Sequence, residues 1–354
     1  MTQLKTSFIT LCLLMFFMPA QALVVLQYHH VSEDTPSSTS LSPSQFIEHM
    51  QLLEDLGFEV VDLESATLAL LNPKATNEYD KTTKQVAISF DDAYDSIFTH
   101  AHPELKRRNW PYTVFVNTQA VNQGHRGLMS WQQLQTLIDE GVTIANHSST
   151  HAHLPSIPPA MSLEQWLEAE VLQAQKELQT RLSKVSTMFA YPYGEFTLAM
   201  LPWFEKQGIL AFGQQSGPIG PLSHPQALSR FPAAGIYANP QTLKTKLLSL
   251  ALPLSSSQFR EPVLTTDNNP PTLTLELIPA DYNPERLQCF ASQQGAIDTV
   301  VTTDNQKIIL TTQASKPLTG ARSRYNCTVP SSQPGRYYWY SQPWQMSLSS
   351  DEGY

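Results

Sequence analysis

Apolar residues in the first two thirds of the chain follow two alternating patterns, short continuous runs and longer stretches with helical spacing. Short continuous apolar runs are typical of buried strands. They lie at 24–26, 86–90, 113–116, 142–145, 188–190 and 209–212. Because helical stretches separate these runs, we expect an α/β fold with parallel strands, and periodicity alone allows either a barrel or an open doubly wound sheet.

The helical stretches carry start and stop signals. A serine followed three residues later by a glutamine forms a capping box, which satisfies backbone N–H groups at the start of a helix. This pattern occurs at Ser42 and Gln45, at Ser130 and Gln133, and at Ser162 and Gln165. Gly57 and Gly141 stand where the first two helices should end, because glycine readily adopts the left-handed conformation that follows a helix. We expect these helices to cover the sheet.

The composition changes after residue 252, where serine, proline and asparagine become frequent. Four apolar or alternating runs without intervening helices then predict strands at 272–278, 296–301, 307–312 and 336–340. We therefore predict a first domain over 23–252, a linker over 253–271 and a small antiparallel all-β sandwich over 272–354. The aromatic residues at 337–340 either fill this sandwich and its contact with the first domain or stack on sugar rings.

The N-terminus predicts export. Lys5 precedes an apolar run over 8–18, and Ala20 and Ala22 offer small residues at the cleavage positions of a signal peptide over 1–22. The run is shorter than the roughly 20 residues that a membrane span needs. We therefore expect an exported protein, periplasmic or extracellular, that is not an integral membrane protein after cleavage.

The cysteines agree with export. Removal of the signal peptide leaves Cys289 and Cys327, and two cysteines in an exported chain are expected to form a disulfide. Two buried free thiols are the alternative. Because both cysteines lie in the C-terminal third, the bond would stabilise the sandwich and not the first domain.

Composition and charge limit the classes of partner. The chain has 354 residues, 41% of them hydrophobic and 15% charged, which is enough for two folded domains. Its formal net charge of −9 argues against nucleic acid, which proteins bind with clustered lysines and arginines. The oligomeric state does not follow from these properties.

Three polar segments each follow a predicted strand. They are the pair Asp91 and Asp92, the segment from His147 to His151, and the segment 191–194. In a barrel of parallel strands, loops at the carboxyl ends of the strands meet on one face. One carboxylate and two imidazoles are suitable ligands for a divalent ion and leave positions open for water and substrate, while a second carboxylate remains free for proton transfer.

These segments read Ser89-Phe-Asp-Asp, His147-Ser-Ser-Thr-His and Tyr191-Pro-Tyr-Gly, and they resemble the motifs of the NodB-homology polysaccharide deacetylases, carbohydrate esterase family four. The resemblance covers about residues 23–250. The opening segment 26–31 is similar to the branch that acts on exopolysaccharides such as poly-N-acetylglucosamine. The resemblance implies a distorted (β/α) barrel of about seven units, followed here by the sandwich.

The resemblance also implies a metal site. Asp92, His147 and His151 would hold the ion, and family spacing favours these two histidines over His153. Zinc is the first expectation for the metal, although the same ligands accept cobalt, nickel or iron. His29 and His30 follow the first strand, and we expect neither to be a ligand.

The resemblance assigns further roles around the metal. Asp91 would be the catalytic base, and the backbone N–H of Tyr193 would stabilise the oxyanion. Tyr191, Pro192 and Tyr193 would form the turn that contacts the substrate. The metal would activate a water molecule that attacks the acetyl carbonyl.

Two positions depart from the family pattern. Ala190 stands where many members have an arginine that orients the base, and Arg230 is a candidate substitute. The late histidine motif that supplies a general acid is missing, and His224 is a weak replacement. Asp91 can return the proton it receives, so that one carboxyl group serves both steps.

The sequence therefore predicts metal-dependent hydrolysis of acetyl groups from an N-acetylated polysaccharide, such as an exopolysaccharide, a chitin-like glycan or the glycan of peptidoglycan. A sugar O-acetyl esterase differs only in the leaving group and remains an alternative. A non-catalytic polysaccharide-binding export factor is another, although the complete Asp-Asp-His-His set argues against it. A peptidase lacks support, because the chain has no H-E-x-x-H helix.

Overall fold

The structure is a computed structural model and describes residues 22–72, 84–256, 259–304 and 307–346. The predicted signal peptide therefore lies outside the described residues except for Ala22. Within the described ranges, every helix is too short or too polar to cross a membrane.

The first part of the chain alternates strands and helices, as predicted. Its strands are β1 (Leu23–Tyr28), β2 (His30–Val31), β3 (Ser40–Leu41), β4 (Phe58–Val60), β5 (Lys84–Asp91), β6 (Thr113–Val116), β7 (Thr143–Asn146), β8 (Phe189–Ala190), β9 (Ala211–Phe212) and β10 (Phe231–Pro232). Its α-helices are α1 (Pro43–Asp55), α2 (Leu63–Leu71), α3 (His102–Arg107), α4 (Thr118–Asn122), α5 (Trp131–Asp139), α6 (Leu163–Leu167), α7 (Gln173–Arg181), α8 (Leu201–Lys206) and α9 (Pro240–Leu247).

The parallel sheet curls into a distorted barrel. Its strand order is β10-β1-β5-β6-β7-β8-β9, and β4 also pairs with β5. The segment before β10 nearly closes the ring, because Leu228 bridges to Phe212 of β9 and Phe231 pairs with Leu26 of β1. The barrel prediction is confirmed, and the open doubly wound sheet is not observed in the described residues.

Side chains alternate across each strand and so separate two apolar cores. Val24, Leu26 and Tyr28 pack outwards under the helices, whereas Leu23 and Val25 belong to the cluster inside the barrel. Polar residues that share the inward register are thereby placed inside the barrel.

The capping predictions are confirmed. Ser42, Ser130 and Ser162 each form a complete capping box with the glutamine three residues later. Gly57 and Gly141 have φ values of 68° and 90°, which places both in the left-handed region just after a helix.

The second part of the chain is a single curled sheet whose two halves enclose one apolar core. Its strands are β11 (Leu250–Ala251), β12 (Val263–Leu264), β13 (Thr272–Leu277), β14 (Gln288–Ala291), β15 (Gly295–Asp304), β16 (Lys307–Gln313), β17 (Arg322–Pro330) and β18 (Tyr337–Met346). The order is β11-β18-β17-β14-β15-β16-β13, with β12 also on β18. The pairs are antiparallel except that β11 and β12 run parallel to β18. The all-β sandwich is therefore confirmed.

The two parts of the chain are joined through β18. Leu250 and Ala251 of β11 pair with Tyr338 and Trp339, so the second sheet receives its first strand just before the predicted boundary at 252. Trp339 packs edge-on against Phe231 of the barrel, with ring centroids 5.4 Å apart. Its neighbour Tyr338 is buried in the sandwich core. The exact domain limits stay a prediction.

A disulfide joins Cys289 and Cys327. The two cysteines are directly opposite each other on the adjacent strands β14 and β17, and both are fully buried. The bond therefore lies inside the sandwich core and closes a loop with a sequence separation of 38 residues.

Replacing both cysteines in Cys289→Ala/Cys327→Ala should lower the unfolding free energy of the sandwich by up to about 4 kcal/mol, because the loop is no longer closed in the unfolded chain. Denaturant unfolding followed by tryptophan fluorescence measures this, since Trp339 and Trp344 lie in β18. The wild type in reductant is the matched control and should shift in the same direction. Identical midpoints for oxidised, reduced and substituted protein would show that the bond contributes nothing.

Candidate active site

The three polar segments meet at the carboxyl ends of β5, β7 and β8. Asp92 follows β5, His147 follows β7, and the turn at Tyr193 follows β8. Asp92, His151 and Tyr193 line one open cleft of about 870 Å³. The sequence-based expectation that these segments converge is consistent with this geometry.

Asp91 lies inside the barrel, completely buried, and forms a two-pronged ion pair with Arg230. Arg230 Nη1 donates to Oδ1 at 2.7 Å, and Nη2 donates to Oδ2 at 2.8 Å. Gln27 Nε2 donates to the same Oδ2 at 2.6 Å. Three directed hydrogen bonds therefore fix the orientation of this carboxylate.

Arg230 is itself completely buried and held in place. Its Nε donates to the Gly213 carbonyl oxygen at 3.0 Å, and its guanidinium carbon lies 5.4 Å from the ring centroid of Phe115. The guanidinium group that faces Asp91 therefore belongs to the segment that nearly closes the barrel.

This pairing determines the charge state of Asp91. Burial alone would raise the pKa of Asp91, but the positive charge of Arg230 and its hydrogen bonds outweigh burial and lower that pKa to about 2. The carboxylate is therefore ionised at neutral pH.

Asp92, His147 and His151 form a compact group of ligand atoms. Asp92 Oδ1 lies 3.4 Å from His147 Nε2 and 3.2 Å from His151 Nε2, and all three ligand atoms lie within 4.8 Å of one another. Asn117 Nδ2 contacts Asp92 Oδ1 at 3.4 Å.

His147 has the hydrogen bonding expected of a metal ligand. Its ring is buried, and its Nδ1 lies 2.7 Å from the Ala190 carbonyl oxygen, which can only accept a hydrogen bond. Nδ1 therefore carries the proton, and Nε2 presents its lone pair to the group. Burial lowers the pKa of His147 to about 4, so the imidazole is neutral at pH 7.

Nε2 of His147 has no hydrogen-bond partner among the residues that the structure describes. A buried imidazole nitrogen without a partner is costly, and a bound cation removes that cost. The donor set of one carboxylate and two imidazoles also suits a divalent ion. The residues present therefore fit a metal.

The loop between His147 and His151 is held by a buried glutamate that the sequence did not indicate. Glu170 accepts from the Thr150 backbone N–H at 3.0 Å and from the Thr150 hydroxyl at 2.9 Å. Ser148 Oγ accepts from the His151 N–H at 2.9 Å. Ser148 and His151 have φ values of 70° and 61°, so the loop keeps a left-handed backbone at two non-glycine residues.

Tyr193 also has a left-handed backbone, with φ 59°. Its ring stacks on His153 at a centroid distance of 4.1 Å and meets His151 edge-on at 4.6 Å. His153 Nδ1 lies 2.7 Å from Glu195 Oε2 and is not part of the ligand group in the described structure. His153 therefore packs beside the site.

Tyr191 is not among the described residues that line the cleft. The Tyr191 ring is completely buried among Phe189, Phe196 and Phe204, and its hydroxyl donates to the Gln226 carbonyl oxygen at 2.9 Å. Side chains alternate across β8 and its extension, so Tyr191 points, like Phe189, into a core separate from the one inside the barrel. Pro192 is likewise buried and is not among the described residues that line the cleft. Of this turn, Tyr193 and Gly194 face the cleft.

The other histidines near the predicted site differ in whether they line the cleft. His29 lines the cleft, whereas His30 stacks on Tyr94 at a centroid distance of 3.5 Å. His224 accepts a hydrogen bond from the Gln226 N–H at 3.2 Å and is absent from the described lining of the cleft, so it is not placed to protonate a leaving group.

Sequence reasoning missed Gln27, Asn117 and Glu170. Gln27 left one usable signal, because it is a polar residue in the otherwise apolar β1 and shares the inward register. Asn117 follows β6 directly, at the same sheet end as the other site residues.

Comparison with known proteins agrees with this geometry. The polysaccharide deacetylase family matches residues 78–211. A putative polysaccharide deacetylase of Bacillus subtilis, YxkH, is 27% identical over 216 residues, which is 61% of this chain and 69% of the relative. A poly-β-1,6-N-acetyl-D-glucosamine N-deacetylase of Staphylococcus aureus is 25% identical over 57% of this chain and 71% of its own.

Solved structures share the fold. The deacetylase PplD of Streptococcus pyogenes, solved in complex with acetate, superposes with a TM-score of 0.56 at 20% identity and covers 64% of this chain and 99% of its own. IcaB from Ammonifex degensii gives a TM-score of 0.54 at 24% identity, over 63% of this chain and 96% of its own. The barrel therefore contains a segment, residues 78–211, that matches the polysaccharide deacetylase family.

Proposed function

We propose that this protein is a metal-dependent deacetylase that hydrolyses the acetamide groups of an N-acetylated polysaccharide containing N-acetylglucosamine. The observation that carries the proposal is the placement of an ionised carboxylate, Asp91, next in sequence to the ligand group of Asp92, His147 and His151. The relative in S. aureus is named for an N-deacetylase activity on such a polymer, which supports the substrate class.

Asp92, His147 and His151 would hold the cation. A divalent ion bound there would lower the pKa of a water molecule towards about 7 and polarise the acetyl carbonyl. Zinc is our first choice, with cobalt, nickel or iron as alternatives. His147 is ready for this role without rearrangement, because its Nδ1–H is already committed to the Ala190 carbonyl oxygen.

Asp91 acts as the base in this proposal. Arg230 Nη2 and Gln27 Nε2 both donate to Oδ2, whereas Oδ1 accepts from Arg230 Nη1 and keeps a second lone pair that can accept the proton of the attacking water. The same group then returns the proton to the departing amine nitrogen. Arg230 serves as the positioning residue that the family motif places elsewhere, since position 190 is alanine.

Tyr193 would stabilise the charge that develops on the carbonyl oxygen through its backbone N–H. The left-handed turn at Tyr193 lies on the cleft beside His151, which is where the acetyl group must sit to reach the ligand group. This role is carried over from the family resemblance.

Export to the periplasm or the extracellular space is part of the proposal. The buried disulfide between Cys289 and Cys327 is the structural support, because such bonds persist in oxidising compartments.

Removing the metal should abolish acetate release. We expect the mature protein to contain about one equivalent of a divalent metal by elemental analysis and to lose release of acetate from poly-β-1,6-N-acetylglucosamine after chelation. Added zinc or cobalt should restore activity. Full turnover by protein shown to be free of metal would contradict the mechanism. Release from acetylated xylan alone would favour the O-acetyl esterase, and binding without any acetate release would favour the non-catalytic factor.

Asp91→Asn should lower kcat by about 10²-fold or more, because it removes the proton acceptor while keeping a similar shape. Arg230→Lys should lower kcat less, since one point charge replaces the two-pronged contact. Steady-state acetate release measures both, with the exposed Asp34→Asn as the matched control. Metal content should be unchanged in all of them. A near-normal kcat in Asp91→Asn would show that Asp91 is not the catalytic base.

His151→Ala and His153→Ala separate the ligand from its neighbour. His151→Ala should weaken zinc binding by about 10²-fold or more, because one of three ligands is lost, whereas His153→Ala should keep the metal. Competition with a coloured chelator gives both affinities. If His153→Ala weakened zinc binding and His151→Ala did not, His153 would be the ligand.

A further inference from the structure

The sandwich domain forms one wall of the catalytic cleft. Arg322 and Arg324 of β17, together with Trp344 and Gln345 of β18, line the same cleft as Asp92 and His151. Because residues two apart on a strand point to the same side, both arginines project from one face of β17 towards the barrel, while Ser323 between them is buried.

The position of this wall is fixed by contacts between the domains. Gln345 Nε2 donates to the Phe196 carbonyl oxygen at 3.0 Å, and Arg324 Nη1 donates to Ser216 Oγ at 2.8 Å. Trp339 packs on Phe231 of β10. The contacts between the two domains therefore fix the position of the arginines at the cleft.

Arg322 contacts the ring of Tyr193, which in turn contacts His151 of the ligand group. Its guanidinium carbon is 5.1 Å from the Tyr193 ring centroid, and the Tyr193 ring contacts that of His151. Its side chain is 51% exposed, so the guanidinium can still reach a ligand. A sugar adjacent to the acetylated one would pass over this position.

The charges of the cleft differ from those of the whole chain. The chain has a formal net charge of −9. The described lining of the cleft nevertheless has three arginines, at 126, 322 and 324, against two carboxylates, Asp92 and Glu195. Asp92 faces two histidines in the ligand group, and Glu195 already contacts His153 at 2.7 Å.

Two of these arginines have no carboxylate partner. Arg322 Nε lies 3.9 Å from Glu195 Oε1, but neither Arg126 nor Arg324 has a carboxylate oxygen within 4.0 Å among the described residues. Any bound divalent cation would add to the positive charge. A cleft of this sign attracts anionic ligands, and the guanidinium fork suits carboxylate and phosphate groups.

We infer that the sandwich domain completes the substrate site and that Arg322 and Arg324 bind an anionic group, a carboxylate or a phosphate, on a sugar next to the acetylated one. The substrate class is thereby an acidic N-acetylated glycan. This inference rests on the proposed function for the identity of the reaction, but the binding preference is measurable without turnover.

The test is equilibrium binding to the full-length mature protein in the presence of chelator, by calorimetry. The probes are a glycan of alternating N-acetylglucosamine and glucuronate, its carboxyl-reduced form, a polymer of N-acetylglucosamine joined through phosphodiesters, and neutral poly-β-1,6-N-acetylglucosamine. We expect at least one acidic polymer to bind about tenfold or more tightly than the neutral ones, and the difference to shrink as salt increases. The two acidic polymers distinguish carboxylate from phosphate.

Arg322→Ala and Arg324→Ala should each weaken binding of the acidic polymer by about tenfold and leave the neutral polymers unchanged. Arg322→Lys and Arg324→Lys keep the charge and should retain part of the preference. Arg286→Ala, an exposed arginine in the same domain and outside the described lining of the cleft, is the matched control.

Equal affinity of the wild type for acidic and neutral polymers would overturn the inference. An equal loss for both kinds of polymer in the alanine variants would also overturn it, because it would show that the arginines only hold the domains together. Thermal unfolding of each variant checks folding, and the lysine variants replace the alanine variants if those do not fold. Since binding is measured without metal, failure of acetate release would count against the proposed function and not against this preference.

Discussion

The buried ion pair between Asp91 and Arg230 is the interaction on which the architecture of the site depends. Both side chains have no exposure to solvent, so neither charge is stable inside the barrel without the other. The pair connects the end of β5 to the segment that nearly closes the ring before β10. Loss of either partner would leave an uncompensated charge next to the candidate ligand group, which links the closure of the barrel to the geometry of the cleft.

Much of the barrel could be predicted because its signals are local. The capping boxes at Ser42, Ser130 and Ser162 and the apolar strands are each made of neighbouring residues. The motif spacing indicates Asp92, His147 and His151 as candidate ligands. Arg230 was reached only as a substitute for the missing motif arginine, since its partner lies 139 residues away in sequence. No local pattern encodes a contact of that separation.

The failures have physical causes as well. Tyr191 belongs to a recognised motif, but its ring shares the face of Phe189 and enters the core, while the left-handed turn at Tyr193 directs that ring to the cleft. The strands β14 and β17 were missed although their buried positions alternate, because those positions include Ser323 and the disulfide cysteines, which pattern rules do not count as strand formers. The role of β17 at the cleft depends on docking between domains, which no single segment specifies.

The left-handed backbone at Asp92, Ser148, His151 and Tyr193 has a consequence for how the site is assembled. Each such non-glycine residue costs on the order of 1 kcal/mol, which the surrounding fold must offset. The hydrogen bonds that hold the turn between His147 and His151 are part of that offset. Each turn therefore fixes the direction of its side chain at the expense of backbone strain.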